Sequence, residues 1–126
     1  MDAVRETSSL IAADKVNGTY VFNAQGDRVG EVNDLMIDKR SGQVAYAIMS
    51  FGGFLGVGNS YHPLPWSLLN YNTNLGGYVV DIEQSQLEDA PSYEAGTEPA
   101  WGDPEYERKL QDFYGVTPLG RSGGPP

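Results

Sequence analysis

The chain has no cysteine and a single histidine, His62. The first absence removes disulfides, thiolate metal sites and thiol nucleophiles, and it fits a reducing, cytoplasmic compartment. The second leaves no pair of imidazoles for a metal and makes His62 the one possible imidazole base. Cations are scarce as well: 8 Lys and Arg stand against 17 Asp and Glu, a formal net charge of −9. Such a field repels phosphate backbones and anionic lipid. Lys15, Arg28, Lys39, Arg40, Arg108 and Lys109 are spread amid acids with no basic stripe, so nucleic acid is not an expected partner. Nowhere do 18 apolar residues run together, and Met1-Asp2-Ala3-Val4-Arg5-Glu6 has no basic stretch leading into an apolar one, so membrane insertion is not expected. The Gly53-x-x-Gly56-x-Gly58 spacing has no following helix to receive a phosphate, and Asp81, Glu83, Glu88 and Asp89 do not match a calcium loop. Neither a metal nor a cofactor is expected.

What is abundant is turn chemistry: 16 glycines and 8 prolines punctuate short apolar runs, and 40% of the residues are apolar. This pattern predicts a mainly β domain rather than a helical one. Residues 1–14 read as a loosely held lead-in and 15–91 as the β domain. Thr19–Phe22 is the first strand, and a Gly26 hairpin leads into a second from about Val29 to Asp38. Val32 falls on one phase while Leu35 and Ile37 fall on the other, so keeping all three inside requires a bulge near Asn33-Asp34. After the Lys39–Gly42 turn, Gln43–Phe51 is apolar on both phases, and such a strand expects cover on both faces.

Gly52–Asn59 reads as a flexible glycine-rich connection carrying Phe54, Leu55 and Val57, and Ser60–Trp66 as an edge strand containing Pro63 and Pro65. A hairpin through Asn72–Gly77 leads to Tyr78–Ile82, which is expected to close the sheet, and Ser85 and Glu88 have capping-box spacing. Residues 92–102 read as a linker with Trp101 as an anchor, and 116–126 as a disordered Gly/Pro tail. Between them Asp103-Pro104 starts a helix and Gly115 stops it, with Tyr106, Leu110, Phe113 and Tyr114 on one stripe. A helix of this length is marginal in water, so it is expected to dock on its own domain or on another subunit.

The order of these signals resembles the PRC-barrel family. The resemblance rests on Gly18 before the first strand, then Gly26-Asp27-Arg28-Val29-Gly30-Glu31-Val32-Asn33-Asp34-Leu35-Met36-Ile37-Asp38, then Gly42-Gln43-Val44-Ala45-Tyr46-Ala47-Ile48. Gly52-Gly53-Phe54-Leu55-Gly56, Pro63-Leu64-Pro65-Trp66 and Ala90-Pro91 complete it over about residues 10–91. The resemblance implies a small SH3-like β-barrel of about six short strands. The family uses that barrel as a protein-contact module on photosynthetic reaction-centre H subunits and on a ribosome maturation factor that binds a ribosomal protein. The chain shows neither the membrane-spanning helix of the former nor the extra barrel domain of the latter, so it looks more like stand-alone bacterial members.

Function is then expected at surfaces. Phe51, Phe54, Leu55, Trp66, Trp101, Tyr106, Leu110 and Phe113 exceed the needs of a minimal barrel, and aromatic groups are favoured interface anchors. They predict a non-catalytic protein-binding or scaffold module that self-associates, as a homodimer, and presents its acidic surface to another protein. The alternative is a small hydrolase or ligand-binding protein using His62 with Asp34 or Asp38.

Overall fold

The structure is a computed structural model that describes residues 10–54, 57–94 and 96–115, without the side chains of 52–54 and 57–59. A short helix α1 (Ala13–Val16) precedes strands β1 (Tyr20–Phe22), β2 (Arg28–Ile37), β3 (Val44–Phe54) and β4 (Val57–Pro65). A 3-10 turn at Trp66–Leu68 leads to β5 (Asn70–Asn72) and β6 (Gly77–Val79), and helices α2 (Gln84–Glu88) and α3 (Pro104–Tyr114) follow. The strands form one sheet in the order β4-β3-β2-β1-β6-β5, antiparallel except where β1 and β6 run parallel.

Local chemistry explains the turns. Asn23 is buried, and its Oδ1 accepts from the amides of Gln25 and Asp27 at 3.0 and 2.9 Å, which shapes the β1–β2 turn. At the β2–β3 turn, Asp38 Oδ1 accepts from the amides of Arg40 and Ser41, both at 2.9 Å. Gly42 completes that turn at φ 76°, where a Cβ would strain the backbone. The expected bulge is present: Val32 pairs with Met49 and Asp34 with Ile48, so Asn33 is the extra residue. It keeps Val32 and Leu35 on one face. Ile37 departs from expectation, because a second register shift after Met36 turns it outward to 51% exposure.

Three further expectations are corrected. The sheet is open rather than a closed barrel, with β4 and β5 at its two edges. The outer side of β4 instead takes Tyr93: the Tyr61 amide donates to the Tyr93 carbonyl at 2.9 Å and the Tyr93 amide returns the bond at 3.0 Å. Pro63 and Pro65 have no N–H with which to pair a further strand there. The glycine-rich stretch is largely strand, since Gly52 pairs with Asn59 and Phe54 with Val57; ladder pairing overrides the weak strand preference of glycine. The cap of α2 lies two residues earlier than Ser85, where Glu83 accepts from the Gln86 amide and Gln86 Oε1 accepts from the Glu83 amide at 3.1 Å.

The core follows from β3. Ala47, Met49 and Phe51 point into one cluster with Val21, Val32, Leu64 and Val80, to which α1 adds Val16 and α2 adds Leu87. Tyr46 and Ile48 point the other way, into a second cluster closed by Leu110 of α3, which is fully buried. The helix therefore docks on its own sheet. Its start is capped by Asp103, whose carboxylate accepts from the Glu105 amide at 3.1 Å, and it ends at Gly115 with φ 74°.

Two changes test this packing. Leu110→Ala empties the second face of β3 and is expected to cost about 2–5 kcal/mol in a urea melt. Gly30→Ala would drive a Cβ into the Ser50 carbonyl oxygen and to 2.9 Å from Met49 Cγ, and is expected to cost ~1–3 kcal/mol; wild-type stability in either variant would contradict the packing.

Candidate functional site

The structure disperses the residues that the sequence nominates. Phe51 is only 9% exposed and packs edge-on against the His62 ring at 5.2 Å, and Leu110 is in the interior. Both fill the two sides of β3, so neither offers surface for a partner. Trp66 is half-buried against Tyr78 at 5.4 Å. Trp101 and Tyr106 belong to an aromatic group over β3: the Trp101 ring lies 6.1 Å from Tyr46, 6.1 Å from Tyr93 and 6.0 Å from Tyr106. The indole N–H donates to Glu98 Oε1 at 3.1 Å. The Phe54 side chain and Leu55 lie outside the described residues. Phe113, 39% exposed, is the most exposed of the candidates among the described residues.

Phe113 borders a groove of about 340 Å³ that sequence reasoning did not anticipate, lined by Asp81, Ile82, Gln86, Asp89, Phe113 and Tyr114. It forms where the end of α3 passes the stretch leading into and out of α2, so residues far apart in sequence share its wall. Its apolar side is Ile82, Phe113 and Tyr114, and its titratable rim is two carboxylates. Burial raises the Tyr114 phenol well above its ordinary value, with the neighbouring Tyr106 adding to the effect, so Tyr114 acts here as a neutral aromatic wall. The groove sits in the acidic part of the molecule: residues 81–115 hold ten of the acids, from Asp81 to Asp112, against Arg108 and Lys109.

His62 belongs to the interior, at 1% exposure. Its Nε2 lies 3.0 Å from Ser60 Oγ, and Ser60 Oγ donates to the Phe51 carbonyl at 3.3 Å. With the hydroxyl proton spent on that carbonyl, the serine accepts from Nε2–H, which assigns the proton to Nε2 and leaves Nδ1 buried with no hydrogen-bond partner among the described residues. This is the reverse of a base activating a nucleophile. Desolvation pushes the His62 pKa down to about 4.

The sheet also separates His62 from the carboxylates proposed to assist it. His62 pairs with Met49 and shares the face that carries Phe51, whereas Asp34 pairs with Ile48 on the opposite face. Asp38 lies about 20 Å along β2 from the Val32–Met49–His62 rung. Its pKa is lowered because the amides of Ser41 and Arg40 bond the ionised carboxylate. The Asp34 carboxylate accepts from the Leu35 amide at 2.8 Å, beside the bulge. The structure thus assembles neither pair required by the hydrolase alternative. Among the described residues no three His, Asp or Glu side chains are grouped to hold a metal, and no helix is long and apolar enough to cross a membrane.

An open six-stranded sheet with α1 and α2 on one face and α3 on the other defines a small β domain that offers its surroundings an aromatic-walled, acid-rimmed groove. Its sequence matches the family model of the PRC-barrel domain over residues 9–87, and the chain belongs to that family. No curated protein matches it.

The buried imidazole gives a pH test. The folded state holds His62 neutral down to about pH 4, while the unfolded chain takes the proton near pH 6.5. Its contribution is therefore complete above pH 6.5 and falls as pH drops toward 4, by ~3 kcal/mol at ~1.4 kcal/mol per pKa unit. In urea melts wild type should lose ~3 kcal/mol more stability than His62→Leu between pH 7 and pH 4; equal losses would contradict it.

Proposed function

We propose that the chain is a non-catalytic protein-contact module that self-associates as a homodimer, working in a reducing, cytoplasmic setting. The observation that carries the reading is Phe113, held 39% exposed beside the groove although the same helix buries Leu110 completely. Leu110 is buried and Tyr106 and Tyr114 are partly buried against the sheet, so Phe113 is the most exposed side chain of that stripe. With Ile82 and Tyr114 it forms a continuous apolar wall rimmed by polar groups, the kind of surface that marks an interaction site. The dispersal of His62, Asp34 and Asp38 supports the non-catalytic half of the proposal, and the absence of cysteine supports the compartment.

Light scattering across micromolar concentrations tests it. The expected mass is twice the 13.7 kDa of one chain, and Phe113→Asp is expected to weaken association at least tenfold, ~1.4 kcal/mol. A wild-type protein that stays monomeric throughout would contradict the proposal.

A further inference from the structure

Resting on that reading, we infer that the β2–β3 hairpin of one copy, through Ile37, Lys39 and Arg40, docks in the Asp81/Asp89/Phe113 groove of a second copy. Two features that the fold alone does not explain meet in this contact. The hairpin carries an apolar residue turned outward, Ile37 at 51% exposure, followed by two exposed cations, Lys39 and Arg40. The groove carries an apolar wall and two carboxylates, with no cation among its described lining residues. Each surface offers what the other lacks: a greasy side chain for a greasy wall and a pair of positive charges for a pair of negative ones.

The hairpin is also prepared to be presented. The two amides bonded by Asp38 Oδ1 belong to Arg40 and Ser41, and the Gly42 amide donates to the Asp38 carbonyl at 2.8 Å, so the turn bearing Lys39 and Arg40 is held by its own backbone. A tip ordered in advance loses less entropy on docking than a loose one.

One chain does not close this contact on itself. The hairpin lies beyond the Tyr46–Met36 rung, at the end of the sheet where Trp101 packs just before α3 begins. The groove lies at Tyr114, the other end of α3, and eleven helical residues span about 15 Å. A second copy related by a twofold axis can place its hairpin at the groove of the first while offering its own groove in return, so the contact occurs twice per dimer.

Charge reversal with cross-rescue tests the proposal. One variant carries Lys39→Glu and Arg40→Glu, the other Asp81→Lys and Asp89→Lys; all four positions are on the surface or at the groove rim, and circular dichroism confirms that each variant folds. Sedimentation velocity is expected to show each variant shifted at least tenfold toward monomer, because hairpin and groove then carry the same sign. Mixing the two variants is expected to restore dimer, since each hairpin again meets an oppositely charged groove. A wild-type dimer that survives both reversals, or two dissociated variants that stay monomeric when mixed, would overturn the hairpin–groove contact and leave self-association through another surface. A wild-type monomer would overturn self-association itself.

Discussion

The structure depends on the need to keep water from both faces of one strand. Ala47, Met49 and Phe51 alternate with Tyr46 and Ile48 along β3, and all five are buried. A half-buried strand exposes one phase to solvent, whereas this one loses apolar burial wherever either side is open. The remaining architecture satisfies that demand. On one side the strands themselves, with Val16 of α1 and Leu87 of α2, supply the cover; on the other side α3 brings Leu110 over Ile48 while Trp101 and Tyr106 close around Tyr46.

The same constraint explains why the reactive-looking residues do not form a reactive site. A ladder that sends successive side chains to opposite faces puts His62 on the face of Met49 and Asp34 on the other face, beside Ile48. His62 is then an interior group held neutral, bonded through Nε2 to Ser60 and flanked by the Phe51 ring. The acids serve the backbone instead, Asp34 at the bulge and Asp38 at the hairpin. What the fold leaves to the outside is the acidic segment after β6, the groove beside Phe113 and the cationic tip between β2 and β3.

Much of this was legible in the residues because it is local. The bulge at Asn33 follows from the phase change between Val32 and Leu35, the double cover of β3 from its two apolar phases, and α3 from Asp103-Pro104 and Gly115. The parts that were not legible depend on which distant segment arrives. Nothing in Phe51 or Leu110 distinguishes a core side chain from an interface anchor until β3 and α3 are brought together. The open sheet was not legible either, nor was the pairing of Tyr93, in a stretch that reads as linker, with Tyr61 at the β4 edge. Ile37 turned outward through a second register shift that alternation does not encode. The groove joins Asp81 to Tyr114, a juxtaposition with no signature in either neighbourhood.

Burial of both faces of β3 requires α3 to be an integral cover rather than an appendage. Native-state hydrogen exchange on the full chain measures this directly, because amides open with the cooperative unit to which they belong. The backbone amides of Leu110 and Gln111 should exchange with protection comparable to those of Ile48 and Met49. Exchange of the α3 amides at the rate of an unstructured peptide, while the β3 amides remain protected, would contradict it.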